Sequence, residues 1–450
     1  MKQTQKKSMK MFIVLIIGQF ISSIGSGLTD FGLAIYVLNL THSVSATAAI
    51  SICAFLPSIL LTPLGGILAD RYDRRLLMMI GEAFSGLGLV ICLVSIMSGS
   101  PSILVICIGV AVSSVFTALM EPAFKATVTD MISEEDFAKA GGLVQIANNA
   151  KLLISPALAG YLLLFTSVST LIIIDILTFF TTVLTIAFVR NSIQSVREKK
   201  AVAEKTGMLT ELKEGMDALK GTKGIWTLVW IMTLAVFCLG FVQILSKPLI
   251  LAYATESELG TLTTVVAVGM LVGSVLISCM KHIKAYHRLL AIGLVGCGMF
   301  MALMGVREDI VMTTGFGFMM FVCMPVVQIS AEVMVRRNLR NEVQGRAFGV
   351  IGFVSQMGYI VAYLCSGVLS DYVFEPFMCG DSAAAKRVGE MIGSGAGRGI
   401  AMLVILAGLL LVLVGLMALN SETLKTLGMI TGKTAEQEDD TNEIIMESGL

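Results

Sequence analysis

Ionisable side chains inside long apolar segments are the residues of this chain best placed to do chemistry. Asp30 lies in the first apolar segment, a few residues past its centre, and Lys151 lies near the middle of the fifth. An ionisable group in hydrocarbon costs at least ~2.5 kcal/mol unless it pairs or reaches water, so each is a candidate functional group. Asp30 is the leading candidate for a proton carrier. If it faces Lys151, a proton or a cationic substrate could neutralise the pair, which could equally be a structural ion pair.

A second group of charges is spaced for pairing within single helices. Glu121 and Lys125 are four residues apart, so they share one helix face and can form an ion pair. Glu121 is nevertheless a second candidate for proton coupling. Glu332 likewise precedes Arg336 by four residues, close to the end of its segment. For that pair the sequence favours a plain surface ion pair.

Two further charges, Asp175 and Lys247, are weaker candidates because they lie closer to the ends of their segments. Motifs of other chemistries are missing from the sequence, which has no GxxxxGK[ST], HExxH or GxSxG pattern. The nine cysteines show no CxxC spacing. The histidines occupy predicted loops without forming a ligand pattern, and they are His42, His282 and His287. The sequence therefore predicts no enzymatic activity, no cofactor and no metal.

The composition indicates what must position these charges. Of 450 residues, 56% are hydrophobic and 14% are charged, and no soluble fold of this length could bury so much apolar surface. A helix needs about 20 consecutive apolar residues to cross a bilayer. Twelve such runs occur, at 12–39, 45–69, 76–98, 102–128, 140–165, 169–189, 225–253, 258–280, 288–306, 310–333, 345–370 and 398–419.

The basic residues predict the orientation of these spans. Of the 32 Lys and Arg residues, 26 fall in the two tails and in alternate loops that share one side with them. Cytoplasmic loops retain Lys and Arg, so both termini are predicted to be cytoplasmic. The net charge of zero argues against a nucleic-acid partner. Of the six that remain, Lys151 and Lys247 lie within predicted spans, and the other four lie in the outer loops, namely Arg307, Lys386, Arg387 and Arg398.

A long polar stretch divides the spans six and six. The predicted parts are an N-terminal bundle at 1–190, a cytoplasmic linker at 191–223, a C-terminal bundle at 224–420 and a cytoplasmic tail at 421–450. The tail is predicted to be disordered. A shift of 207 residues aligns Gly66 with Gly273, Lys139-Ala140 with Arg346-Ala347, and Gly160 with Gly367. Parallel six-helix repeats of this kind are a recognised transporter plan, with the substrate site between them.

A short basic segment at 63–75 connects the second and third spans. Its sequence is PLGGILADRYDRR. Gly65 and Gly66 would allow another backbone to approach closely, as small residues do between membrane helices. Asp70 can pair with Arg74 and with nearby helix N-termini. We interpret the segment as a conformational latch; a plain cluster of surface ion pairs would have the same composition.

Segment 63–75 closely resembles the signature between helices two and three of the major facilitator superfamily, in which Gly, Asp and Arg recur in this order. Asp73 stands where many members have Gly, and branches related to macrolide efflux proteins often carry an acidic residue there. Stretches 369–376 and 395–400 resemble the same branch. The resemblance extends over 12–419. It implies an all-α membrane protein with the major facilitator fold, in which twelve transmembrane helices form two pseudo-symmetric six-helix bundles.

The resemblance also implies a cytoplasmic gate. In the family, the positions of Asp70 and Arg74 interact with an acidic residue at the end of helix four, which Asp130 matches here. This contact would hold the gate shut in the outward-facing state. The residues of this sequence that match the gate motif are Gly66, Asp70, Arg71, Arg74, Arg75 and Asp130.

Helix five carries a second family element. Residues 155–160 resemble the Gly-Pro-x-x-Gly-Gly pattern of antiporters, matching it at Pro156 and Gly160. Ser155 and Ala159 replace two of its glycines, which weakens the case for antiport.

Together these features predict a monomeric secondary transporter in the bacterial cytoplasmic membrane. Its predicted substrate is a drug-like or macrolide-like amphipathic small molecule, exported in exchange for protons. Export of a native metabolite such as a siderophore, or uptake by symport, would use the same fold. A membrane sensor that transports nothing is disfavoured, because neither the linker nor the tail is long enough for a soluble signalling domain.

Overall fold

Helices make up nearly all of the residues that the computed structural model describes, and no β-strand occurs among them. This confirms the all-α membrane class predicted from the sequence. The described residues are 2–132, 137–192, 216–217, 219–220, 224–280, 285–339, 341–380 and 382–429. In chain order the helices are α1 (Lys2–Thr41), α2 (Val44–Arg71), α3 (Arg74–Met97), α4 (Ile103–Met131), α5 (Phe137–Leu153), α6 (Ser155–Leu163), α7 (Val168–Ser192), α8 (Ile225–Leu251), α9 (Glu256–Cys279), α10 (Tyr286–Met304), α11 (Ile310–Asn338), α12 (Asn341–Leu369), α13 (Glu375–Cys379), α14 (Ala383–Ile392), α15 (Arg398–Asn420) and α16 (Glu422–Met429).

Short polar side chains start several of these helices. Ser43 accepts a hydrogen bond from the Ala46 N–H at the start of α2, and Asp309 accepts one from the Met312 N–H at the start of α11. Such caps satisfy backbone donors that a first helical turn leaves unpaired. Within each span the remaining backbone groups bond along the helix, as a hydrocarbon surrounding requires.

Eleven helices among the described residues are long and apolar enough to cross a membrane. The remaining predicted span, 140–165, falls on α5 and α6, which are separate helices of 17 and 9 residues. The break lies at Ile154, two residues before Pro156. Proline has no N–H to donate and its ring crowds the preceding turn, which accounts for the break. The predicted number of twelve is thus approximately matched, with one span broken in its middle.

The contacts divide the chain into two compact units. Unit 1 consists of Met1–Lys200 together with Gln243–Ala267 and Tyr363–Ile400. Two apolar clusters form its core. One packs Phe12, Met78 and Phe124 with their neighbours, and the other is built around Leu33, Leu89 and Ile172.

Unit 2 consists of Ala201–Val242, Val268–Ala362 and Ala401–Leu450. Within it, α10 and α15 approach so closely that a Cβ added to Gly298 would lie 2.5 Å from the Gly408 carbonyl oxygen. The Asn338 side chain donates to the Leu427 carbonyl at 3.0 Å and so ties α11 to α16.

The crossing of α3 and α4 in unit 1 gives a test of this packing. A Cβ on Gly88 would lie 2.5 Å from the Gly109 carbonyl oxygen, whereas a Cβ on Gly315 would meet nothing within 4 Å. We expect Gly88→Ala to lower the free energy of unfolding by about 1–3 kcal/mol through overpacking. The matched control, Gly315→Ala, should be neutral or stabilising by up to about 1 kcal/mol, because Ala favours helix more than Gly. Thermal unfolding in detergent measures both, and equal melting temperatures for the two variants would contradict this packing.

Candidate functional site

An ion pair joins α1 to α5 in unit 1. The Lys151 Nζ lies 2.5 Å from an Asp30 carboxylate oxygen. The Lys151 and Asp30 side chains are 43% and 57% exposed. The sequence left open whether Asp30 faces Lys151, and in the structure the two side chains pair. The ion pair is about half exposed rather than sealed in the core.

The surroundings of this pair fix its position. The Ser155 hydroxyl donates to the Ile24 carbonyl at 3.0 Å, which ties the start of α6 to α1. A Cβ on Gly27 would lie 3.0 Å from the Lys151 carbonyl oxygen, so glycine permits the close approach of α1 and α5. The Lys247 ammonium of α8 lies 5.5 Å from the centre of the Phe31 ring, within cation–π range. Helices α5, α6 and α8 thus each place a charge or a hydrogen bond against the part of α1 that carries Asp30.

The pairs expected within single helices are present. The Lys125 Nζ lies 2.7 Å from a Glu121 carboxylate oxygen, and both side chains are at least half exposed. Arg336 donates from two guanidinium nitrogens to one oxygen of Glu332, at 2.9 and 2.6 Å. Each carboxylate therefore has a basic partner one helical turn away. In this respect Glu121 resembles Glu332 more than it resembles Asp30.

Two buried carboxyl groups contact α1 in unit 1. Asp175 of α7 is 1% exposed and accepts a hydrogen bond from the Ser26 hydroxyl at 3.3 Å. Glu82 of α3 is 3% exposed and faces the Ser22 hydroxyl. From the sequence, Asp175 was a weak candidate and Glu82 was not a candidate. The rule applied to Asp30, that an ionisable group within a span is a candidate, would have selected Glu82 as well.

The segment at 63–75 is held by backbone contacts. Asp73 caps α3, accepting from the Arg75 N–H at 3.0 Å. The Arg74 guanidinium donates to the Ala69 carbonyl at 3.1 Å and to the Ala126 carbonyl at 3.4 Å. Arg74 therefore links the end of α2 to α4.

The two glycines of this segment behave differently. A Cβ on Gly65 would lie 2.8 Å from the Ala118 carbonyl oxygen, so the close approach to α4 is real. For Gly66 the expectation was wrong, because a Cβ there would meet nothing within 4 Å. The side chains of Asp70 and Asp130 lie outside the described residues, and the contact between them stays a prediction. Arg71 is exposed and Arg75 is partly buried.

Unit 1 also brings the C-terminal ends of α1 and α6 and the start of α2 against residues from much later in the chain. Asp371 accepts from the Ser43 hydroxyl at 2.7 Å and from the N–H groups of Val44 and Ser45 at 3.0 and 2.9 Å. The Asn39 side chain donates to Glu256 at 2.9 Å. We call this region the interlocked end, and its members are Asn39, residues 43–45, Gly160, Glu256, Gly260, Gly367 and Asp371.

The antiporter-like element lies at this interlocked end. A Cβ on Gly160 would come within 2.6 Å of the Glu256 carbonyl oxygen and 3.2 Å of the Gly260 Cα, so α6 and α9 pack backbone against backbone. The Ala157 N–H donates to the Thr264 hydroxyl at 3.1 Å. Ser155 and Pro156 are buried and begin α6. The element therefore forms a helix contact that a side chain at Gly160 would obstruct.

The two stretches that resembled the macrolide efflux branch fold onto each other. The Glu375 carboxylate accepts from the N–H groups of Gly397 and Ile400, at 3.2 and 3.0 Å, and so caps α15. A Cβ on Gly399 would collide with the backbone of Phe374 and Glu375. Stretches 369–376 and 395–400 therefore meet at the capped start of α15.

Other candidate sites are modest. Within the described residues, no three His, Cys, Asp or Glu side chains come together as a metal site would require. An apolar cavity of about 220 Å³ lies in unit 2. It is smaller than the roughly 300–1,000 Å³ of drug-sized sites. Its lining consists of Leu228, Val229, Met232, Gln328, Ala331, Glu332, Val335, Phe348, Ile351 and Ser355.

Known proteins resemble this chain over most of its length. Macrolide efflux protein A of Streptococcus pyogenes is 23% identical over 372 residues, covering 80% of this chain and 90% of that protein. The enterobactin exporter EntS of Salmonella typhi is 26% identical over 155 residues, covering 34% of this chain and 37% of that protein. Among solved structures, a bacterial homologue of the human lysosomal transporter Spinster, in an inward-facing and occupied conformation, has a TM-score of 0.68 at 11% identity and covers 91% of this chain and 95% of that one.

The structural similarity shows that this chain shares the fold of that solved structure. The family model that matches is the Major Facilitator Superfamily, over residues 15–362. That match covers more than half of the sequence, and the chain therefore belongs to the major facilitator superfamily, as a multi-pass membrane transporter of small molecules.

Proposed function

We propose that this chain is a proton-coupled secondary transporter that exports amphipathic, drug-like or macrolide-like compounds by alternating access. The observation that carries the proposal is the Asp30–Lys151 ion pair, which joins Asp30 of the membrane span Met9–Thr41 to Lys151 of α5 and yet is half exposed. A charge pair is expensive inside hydrocarbon, so its accessibility favours a working site over a structural one. Glu121 is the second coupling candidate.

The pair suits coupling because it has two ways of being neutralised. A proton on Asp30 removes the negative partner of Lys151, and a cationic substrate can replace Lys151 beside Asp30. In either case the Asp30–Lys151 attraction between α1 and α5 is lost. Because a ligand shifts a conformational equilibrium only through its different affinity for the two states, this exchange of partners is the required difference.

For alternating access we propose that the interlocked end faces the outside and that segment 63–75 faces the cytoplasm. Asp371 and Glu256 then hold the outer side closed. The gate motif, with Asp70, Arg74 and Asp130, would close the cytoplasmic side in the opposite state. This orientation agrees with the positive-inside distribution of Lys and Arg.

The export of a macrolide-like compound is suggested by macrolide efflux protein A, which the chain resembles over 80% of its length. A second candidate is the export of a siderophore, which the shorter similarity to an enterobactin exporter favours. We further propose a monomer in the cytoplasmic membrane with both termini inside, and two six-helix halves, 1–190 and 224–420, joined by the 191–223 linker.

Proteoliposomes containing the purified protein would test this function. We expect a macrolide or a cationic dye to accumulate against its gradient when a pH gradient is imposed, and an ionophore that dissipates the pH gradient to abolish accumulation. The siderophore candidate predicts the same behaviour for a catecholate siderophore instead. If none of these compounds responds to the pH gradient, proton-coupled export is excluded.

The Asp30→Asn variant tests the coupling residue. We expect accumulation against a gradient to fall to the level of liposomes without protein, while downhill movement of the same compound continues, because the carboxylate that exchanges protons is gone. Lys151→Gln should show the same loss. Glu422→Gln is the matched control, since Glu422 pairs with Lys425 in α16 and its side chain is 85% exposed. Full accumulation by Asp30→Asn would remove this residue from the mechanism.

The Asp371→Ala variant tests the interlocked end. Loss of a charged cap at the α2 N-terminus should cost about 1–2 kcal/mol, roughly a tenfold shift away from the closed state. Spin labels at positions 40 and 372, where Leu40 and Tyr372 are 43% and 74% exposed, would report it as a new population at longer distance. These labels require a background without the native cysteines.

Asp309→Ala is the control for that measurement. Asp309 also caps a helix, but it directly precedes α11 and accepts from the Met312 N–H of that helix. Unlike Asp371, it therefore joins no distant parts of the chain. It should therefore lower stability without lengthening the 40–372 distance. An unchanged distance distribution for Asp371→Ala, or the same lengthening for Asp309→Ala, would contradict the proposed outer closure.

A further inference from the structure

Helix α1 carries a polar stripe, which we define as Ser22, Ser26 and Asp30. These residues are four apart, so they follow one face of the helix with about 6 Å between successive members. Each member meets an ionisable side chain from a different helix. The pairs are Ser22 with Glu82 of α3, Ser26 with Asp175 of α7, and Asp30 with Lys151 of α5.

The stripe passes from an accessible charge to buried ones. Asp30 and Lys151 are about half exposed, whereas Asp175 and Glu82 are 1% and 3% exposed. The two apolar clusters of unit 1 draw their α1 residues from either side of the stripe, from Phe12 to Ile16 and from Leu33 to Val37. Two carboxyl groups are therefore buried in unit 1, and Asp175 contacts α1 one helical turn from Asp30.

Neither buried carboxyl has a basic side chain within ion-pair distance in the part of the chain that the structure describes. Burying a carboxylate without a cation is strongly unfavourable, which favours the neutral acid at both positions. The Thr29 hydroxyl lies beside Asp175, and it also is buried, at 3% exposure. A neutral acid surrounded by hydroxyl groups can give up its proton only when a positive charge becomes available.

Lys151 is the positive charge within reach. Its ammonium is held by Asp30, and its charge also interacts with Asp175. Lys247 of α8 interacts with Asp30 and Lys151 in turn. The ionisable groups that face Asp175 from the surrounding helices are thus Asp30 from α1, Glu82 from α3 and Lys151 from α5. Asp30 and Asp175 compete for one ammonium.

We propose that Asp175 and Glu82 form a second, buried protonation site, and that it exchanges one proton for each proton bound at Asp30. This inference rests on the proposed proton coupling. When Asp30 takes a proton, Lys151 loses its partner and its charge turns to Asp175. The buried carboxyl pair then releases one of its two protons past the Ser26 hydroxyl to the exposed end of the stripe at Asp30, and Asp175 becomes the carboxylate that pairs with Lys151. The total charge of the four groups is zero before and after.

This exchange explains why Glu82 and Asp175 occupy positions that apolar residues could fill. Replacing a buried ionic or polar cluster by apolar residues is often neutral or stabilising, so stability alone gives no reason for the two acids. A proton held in the core is protected from the solvent until Asp30 is protonated. The site would thus keep uptake and release of protons in step.

Infrared difference spectroscopy on the purified full-length protein tests the inference directly. The carbonyl stretch of a protonated carboxylic acid is resolved from that of a carboxylate, and we expect it in wild-type protein at neutral pH. Asp175→Asn and Glu82→Gln should each remove part of this band, and Glu422→Gln should leave it unchanged. These amides match the shape of the neutral acids, so folded protein is expected. The buried site is excluded if the band is missing from wild-type protein. It is also excluded if both Asp175→Asn and Glu82→Gln keep the wild-type band unchanged.

The pH profile of transport supplies a readout that a structural role would not move. For coupled sites we expect the wild-type profile of driven accumulation to contain two apparent transitions. Asp175→Asn should lose one of them and keep the other. An unaltered profile in folded Asp175→Asn would overturn the proposal, even where wild-type protein responds to the pH gradient. Failure of the wild-type protein itself to respond would instead refute the proposed function, and the infrared band would still decide the buried site.

Discussion

The hydrocarbon interior of a membrane leaves every backbone polar group and every charge to find its partner within the chain. Most features of this molecule follow from that constraint. The described residues are almost entirely helical, because helices satisfy their own backbone. Glu121 and Glu332 each have a basic residue one turn away, and Asp30 has Lys151 on a neighbouring helix. Asp175 and Glu82 have hydroxyl groups in place of a cation.

One helix connects the two regions that the proposed cycle requires. Asp30 and Asn39 both lie on α1, about 14 Å apart along a regular helix. Two residues beyond the end of α1 comes Ser43, which Asp371 contacts at the start of α2. Helix α1 therefore carries Asp30 and also reaches the interlocked end through Asn39. A change in the attraction between Asp30 and Lys151 acts on this one helix. Coupling through a packed helix needs no flexible intermediary.

Much of the fold could be predicted from the sequence, because long apolar runs and local spacing are visible there. The spans, the four-residue ion pairs and the close packing at Gly65 are examples. Which face of a helix points inward is not visible in the same way. Gly66 was expected to touch a neighbouring helix and does not, and the burial of Glu82 depends on how α3 is rotated.

Contacts between distant residues were hidden for a different reason. Asp371 and Ser43 are separated by 328 residues, and no local pattern relates a capping carboxylate to a helix start so far away. The break at Ile154 had a local signal in Pro156, but the sequence alone does not decide whether proline bends a helix or divides it.

The central claim is that protons and substrate exchange through one site, and it has a thermodynamic counterpart. Coupling is reciprocal, so a substrate gradient must drive protons as surely as a proton gradient drives substrate. A substrate gradient should be imposed on proteoliposomes at equal pH on both sides, with a pH-sensitive dye trapped inside. The account predicts proton movement opposite to the substrate in wild-type protein and none in Asp30→Asn. Substrate movement without any change in internal pH would contradict it.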